Sequence, residues 1–370
     1  MPDQKMASQK FELDNFDFAD IFENYTIPYD YIIDPDMSPC QPEVNESITT
    51  ALAVIYSLVC FLAVTGNVIV MIVLLYDRRT ISSTDTYLLH LAVADLLFAV
   101  TLPFWIVDAI SGWVFGDAMC KIISMLQEIN FYSGILFLVC ITINRYLSIV
   151  HATQAQKQKR PFLIMLVCAT VWLVSIALSL PVSYKGEYIH FERVMCYEVL
   201  DVESVEAWRI TTRLLQHFFG FLIPLAVMIF CYTAIILKLC QTKGFQKHKA
   251  MKIIIAVVVS FVICWLPFNI TVLVDTLMRS NLIAETCDRR NDIDRALSAT
   301  QSLGILHSCI NPILYAFIGV KFRRNLVKVF FKKGIIKQTV MSKFRRSVSS
   351  ITESGFMSTS IHIGFDENVS

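Results

Sequence analysis

Four polar side chains sit inside long apolar stretches of this chain, where burial needs a reason: Asn67, Asp95, His307 and Asn311. In a bilayer such groups are costly, so each is a candidate for function. Their chemistry is hydrogen bonding and charge holding. The sequence offers no nucleophile–base pair and no metal-ligand spacing, so an enzyme is not expected. Beside them stand Trp265-Leu266-Pro267 and Asn311-Pro312-Ile313-Leu314-Tyr315. A proline within a helix removes a backbone bond and crowds the preceding turn, which kinks the helix. A kink beside a large aromatic is a candidate hinge.

The elements that must position these residues are written in the hydropathy. The chain is 55% hydrophobic and 17% charged, against about 25% charge for an average soluble domain. The apolar surplus lies in seven blocks, at 48–76, 84–110, 118–150, 161–182, 208–239, 250–277 and 293–317. Each reaches the roughly 20 residues that a bilayer-spanning helix needs. We therefore expect an all-α membrane protein, a seven-transmembrane helix bundle. An acidic tail covers 1–47, the bundle 48–320, a short amphipathic eighth helix 321–333, and a Ser/Thr-rich tail 334–370. No apolar core of a signal peptide is visible in the first 15 residues, so the first span is expected to direct insertion.

Charge decides the orientation. With the N-terminus outside, 21 of the 32 Lys and Arg residues fall inside, as the positive-inside rule requires. The acids run the other way, with 24 of 31 outside, giving nets of −13 outside and +16 inside. A basic inner face follows from topology and anionic lipid. The acidic outer face does not, and it points to a basic extracellular partner. The tail concentrates this charge and interleaves it with Phe11, Phe16, Phe18, Phe22, Tyr25, Tyr29 and Tyr31. Acid with aromatic suits a segment that orders in the groove of a basic protein. Tyr25, Tyr29 and Tyr31 among carboxylates are also candidate sulfation sites. Asn24 and Asn45 head glycosylation sequons on the outside, whereas Asn269 lies in a span and Asn368 inside. Nothing points to nucleic acid.

Four cysteines fall outside, Cys40, Cys120, Cys196 and Cys287, and four allow three connectivities. We expect Cys120–Cys196, from the top of helix three to the second outer loop, and Cys40–Cys287, from the tail to the last outer loop. The other seven are expected to be free.

These residues resemble the rhodopsin-like G-protein-coupled receptors: Asn67, Leu91-Ala92-Val93-Ala94-Asp95, Arg145-Tyr146, Trp172, Pro224, Trp265-Leu266-Pro267 and Asn311-Pro312-Ile313-Leu314-Tyr315. Thr101-Leu102-Pro103, the extra cysteine pair and His307-Ser308-Cys309-Ile310-Asn311-Pro312 are similar to the chemokine receptors. The stretch 285–297 resembles the branch that binds interleukin-8-type CXC chemokines. The resemblance implies a basic CXC chemokine as ligand, a heterotrimeric Gi protein as transducer, and migration of leukocytes such as neutrophils as output. It implies a multi-pass plasma-membrane location. It also implies that Asp108, Arg209, Arg213, Asp275, Arg289 and Arg290 meet the ligand's amino-terminal segment at the helical mouth. Asn144, Arg145, Tyr146, Trp265, Pro267, Asn311, Pro312 and Tyr315 would form the switch. Asp95 and Asn130 are similar to a sodium pocket, with Gly134 where a Ser ligand would be usual.

Two further departures carry expectations. Asn144 stands where an Asp usually restrains the neighbouring Arg, which predicts raised basal signalling; Asp85 is a candidate substitute. Gln127 and Gln301 stand where that branch commonly has Lys and Glu, an ion pair exchanged for two amides if they face each other. Inside, 321–333 alternates basic and apolar residues, the pattern of a helix on the lipid surface. Ser347, Ser349, Ser350, Thr352, Ser354, Ser358, Thr359 and Ser360 are candidate sites for a receptor kinase, making an anionic patch for arrestin. The rival reading is a scavenging or constitutively active chemokine-binding receptor with altered G-protein coupling.

Overall fold

In the computed structural model the described residues are 46–76, 81–151, 161–190, 193–199, 202–241, 246–280, 282–284, 286–318 and 320–332. Tyr25, Tyr29, Tyr31, Asn24, Asn45 and Cys40 lie outside them, as do the Ser and Thr residues of 347–360; at Tyr315 only the backbone is described.

Ten helices make up the described chain: α1 (Glu46–Tyr76), α2 (Ser83–Ser111), α3 (Asp117–Val150), α4 (Pro161–Ser179), α5 (Val202–His217), α6 (Ile223–Gln241), α7 (Gln246–Arg279), α8 (Cys287–Ile305), α9 (His307–Ile318) and α10 (Val320–Lys332). A π turn, Phe218–Leu222, fuses α5 and α6 into the fifth span. Among the described residues six spans are long and apolar enough to cross a membrane. The seventh differs from expectation: it is α8 and α9, broken at Leu306, rather than one helix. Large apolar side chains face outward along the spans, with Phe61 at 67%, Phe162 at 80% and Phe230 at 64% exposure. Helices apolar on both faces take lipid as their solvent.

Packing runs α1 on α2, α2 on α3, α3 on both α4 and α6, α7 on α8, and α9 back on α1. Prolines in the bundle leave carbonyls without their helical donors, and at Pro103 and Pro312 a neighbouring helix supplies a replacement. Pro103 cannot donate to Ala99 O, which accepts from Cys60 Sγ at 3.4 Å. Pro312 cannot donate to Ser308 O, which accepts from Asn67 Nδ2 at 3.2 Å. So Asn67 is a backbone splint between α1 and α9. Trp172 Nε1 donates to His90 Nδ1 at 3.2 Å, tying α4 to α2.

At one end, β1 (Lys185–His190) and β2 (Arg193–Glu198) pair antiparallel. The hairpin is held by the Cys120–Cys196 disulfide, with Cα atoms 5.5 Å apart, and by Trp113 N–H to Val194 O at 2.8 Å. Gly112 makes this contact feasible: its φ is +82°, and a Cβ there would stand 2.8 Å from Val194 O. At the other end α10 packs on α1, burying Phe322 and Val329, with Lys332 Nζ 5.9 Å from the Tyr76 ring centre.

Candidate functional site

Three groups of residues lie along the bundle, from the hairpin end to the Arg145 end. At the hairpin end the fifth, sixth and seventh spans meet on one buried carboxylate. Asp275 of α7, with no side-chain exposure, takes Arg213 Nη2 of α5 at 2.5 Å, Arg290 Nη1 of α8 at 2.6 Å and Arg279 Nε at 3.2 Å. Arg290 also forks onto Asp294, at 2.5 and 3.1 Å, and Arg213 Nη1 donates to Thr276 Oγ1 at 3.1 Å. Three guanidinium groups share two carboxylates, so the cluster keeps one positive charge.

Of the expected mouth residues, the structure therefore joins Arg213, Asp275 and Arg290. Arg289 turns away: it is exposed and donates to Ala284 O at 2.9 Å. Arg209 is buried at 7% exposure. Asp108 lies near the end of α2, where its backbone O and that of Ala109 accept from Arg193 Nη2 at 2.6 and 2.8 Å. Ala109 O is a helix-terminal carbonyl whose helical donor, Trp113 N–H, is taken by Val194 O, whereas Asp108 O also accepts from Gly112 N–H at 3.0 Å. Arg279, Asp294 and Thr276 were not among the expected residues. The i,i+4 spacings Asp275–Arg279 and Arg290–Asp294 were the readable signal for two of them.

Below the mouth lies a cavity of about 110 Å³. Gln127, Glu128 and Gln216 line its upper part, and Asp95, Asn130 and Asn311 its floor. Gln301 is on the wall too, but no hydrogen bond joins it to Gln127. Trp265 stands against Phe131, with ring centres 4.9 Å apart, and against His307 at 6.2 Å. Gly304 lets α8 approach, since a Cβ there would lie 3.0 Å from the Trp265 ring. The Trp265 Nε1 is buried without a partner, leaving the ring held by shape alone. Asn311 Nδ2 donates to Asp95 at 3.0 Å, while Asn311 Oδ1 is buried with no donor. A buried carboxylate beside an unsatisfied amide oxygen is an acceptor-rich floor, suited to a small hard cation.

At the far end Asn144 does not turn to Arg145. Its Nδ2 donates to Thr84 Oγ1 of α2 at 2.8 Å. Arg145 is exposed and, among the described residues, makes no ion pair. Asp85 caps α2, accepting from Ser82 N–H at 2.9 Å. Tyr146 packs on His151, with its hydroxyl 3.1 Å from Nε2. Of the disulfides, Cys120–Cys196 is formed; Cys287 is disulfide-bonded, and the expected partner Cys40 lies outside the described residues.

Residues 66–315 match the family of seven-transmembrane receptors of the rhodopsin type. The chain is 46% identical to the C-X-C chemokine receptor type 2 of Oryctolagus cuniculus, over 95% of this chain and 100% of that protein. It is 45% identical to the type 2 receptor of Homo sapiens, over 98% and 100%. It is 47% identical to the type 1 receptor of Oryctolagus cuniculus, over 91% and 94%. The chain is a multi-pass membrane receptor, not an enzyme, and belongs to the rhodopsin family of seven-transmembrane receptors, among the C-X-C chemokine receptors.

Proposed function

We propose that the chain binds a basic C-X-C chemokine outside the cell and activates a Gi-class G protein inside, driving leukocyte migration. The observation that carries this reading is the Asp275 cluster. It holds three spans together at the mouth with one surplus positive charge, directly above the Trp265 cavity. The acidic tail draws the basic ligand by long-range charge and grips its folded part. An acidic group on the ligand's amino-terminal segment then competes with Asp275 for the arginines. Loosening that hold frees the outer end of α7, and the Pro267 kink carries the motion past Trp265 to the Arg145 end.

Sodium fits the floor of the cavity. Asp95 would supply the charge, with the free Asn311 Oδ1 and Asn130 as neutral oxygens, and the bound ion would hold α2, α3 and α9 together in the resting receptor. After activation, the Ser/Thr-rich tail is the substrate of a receptor kinase and the phosphorylated tail the docking site for arrestin. A second reading has one observation in its favour. With Asn144 committed to Thr84, Arg145 makes no ion pair among the described residues, which favours a receptor with raised basal activity.

The test is G-protein activation in cells expressing the chain at the plasma membrane, over a panel of C-X-C chemokines. At least one should activate Gi in a pertussis-toxin-sensitive manner. Binding with no activation by any member would replace this reading with the scavenger.

A further inference from the structure

A carboxylate withdrawn from water needs a counter-charge or several hydrogen-bond donors. Glu128 is half-buried and, among the described residues, has no contact ion pair and a single donor. It accepts one bond, from the neutral Gln216 Nε2 at 2.8 Å, and makes no ion pair. Its side chain faces the cavity, whose walls carry no Lys or Arg. Lys185, on β1, sits over the Trp105 ring at 6.0 Å and acts on Glu128 only through space. The other acid, Asp95, is bonded to Asn311 at the floor. So the upper cavity holds one carboxylate, the amides of Gln127 and Gln301, and the rings of Phe131, Trp265 and Phe268.

We propose that Glu128 is the counter-ion for a protonated amine that enters this cavity, either the amino terminus of a chemokine or a free arylalkylamine. An ammonium has three donors and no acceptor. Glu128 answers its charge, and the amide oxygens of Gln127 and Gln301 accept its remaining hydrogens. The aromatic walls add cation–π attraction. The cavity, at about 110 Å³, is smaller than an engineered cavity of ~150 Å³ that takes benzene. It therefore admits an ammonium head and its first carbons rather than a whole ring. Gln301 on its wall is exposed, which leaves an entry. The first source rests on the chemokine reading above; the second does not.

Glu128→Gln keeps an acceptor for Gln216 Nε2 and removes a half-buried charge, so the variant should fold. Gln127→Lys places an internal ammonium in the same cavity. Two assays use both variants. In the first, the most potent chemokine of the panel is compared with its amino-terminally acetylated form. Acetylation should lower potency about tenfold on the natural receptor, and by much less on either variant. In the second, phenethylamine and N-acetylphenethylamine are added to purified receptor and thermal stability is read. Only the free amine should stabilise, and only the natural receptor. A Glu128-dependent effect in the chemokine assay alone identifies the ligand's terminus as the source, and one in the amine assay alone identifies the free amine. If no chemokine activates the natural receptor, the chemokine reading fails and the second assay alone decides the site. Equal behaviour of the natural receptor and Glu128→Gln in every working assay overturns the proposal.

Discussion

Replacing Asp275 by Asn is the sharpest perturbation the mouth offers. The shape is kept, and one amide oxygen still faces the arginines, but the cluster's surplus charge rises from one to two. Breaking a buried ion pair by removing one partner costs about 3–5 kcal/mol. Here the carboxylate is wholly buried, while the three arginine side chains keep 15–19% exposure. Residual hydration of the arginines moves the expected cost down, to about 2–4 kcal/mol. For a bundle of this size that is a fall of roughly 3–7 °C in melting temperature. The protein carries its own reporters: Cys168, Cys264 and Cys309 are free and buried, so a thiol-reactive dye reads unfolding directly. Asp294→Asn is the matched control, since its side chain is 46% exposed and its loss should cost about 1 kcal/mol or less. If Asp275→Asn melts within a degree of the natural receptor, or the two variants melt alike, Asp275 is not what holds the three spans together.

Three other substitutions test the rest of the bundle. Asn144→Asp should lower ligand-free nucleotide exchange about two- to fivefold, the effect of a partly exposed ion pair of roughly 0.5–1 kcal/mol to Arg145; unchanged basal exchange would refute the missing-restraint argument. Gly304→Ala drives a methyl to 3.0 Å from the Trp265 ring and should destabilise by about 1–3 kcal/mol through overpacking, read by the same thiol melt. Gly134→Ser should be tolerated, because a Cβ there meets Asn130 Oδ1 at an ordinary 3.7 Å. It should also strengthen the suppression of agonist affinity by sodium chloride relative to choline chloride. The same salt response in Gly134→Ser and the natural receptor would argue against a sodium ion between Asp95 and Asn130.

Hydropathy placed the spans well, because length and apolarity are what a bilayer selects. The expected 84–110 and 118–150 differ by one residue or less at each end from Ser83–Ser111 and Asp117–Val150. It could not see backbone irregularity. The break at Leu306 falls between Ile305 and His307 with no proline at the break itself, and the π turn at Phe218–Leu222 lies in an apolar run. The hairpin escaped because its strands are short and largely polar, with little alternation to read. The most instructive difference is Asn144. The sequence marked it as lacking the charge that would hold Arg145, but not where its amide would go. Asn144 reaches across to Thr84 of α2. Spacing did announce the parts of the Asp275 cluster that lie four residues apart. Arg213 and Arg290 come from other helices, and only the fold brings them to the same carboxylate. Gln216, the bonded partner of Glu128 among the described residues, was invisible for the same reason.

Exchange on purified Gi by the receptor reconstituted in nanodiscs tests the central claim most directly. The account predicts measurable exchange without ligand, a further rise with at least one C-X-C chemokine, and no such rise when the acidic segment 1–39 is removed. No chemokine-dependent rise with the complete chain, under conditions where a chemokine binds, would contradict it.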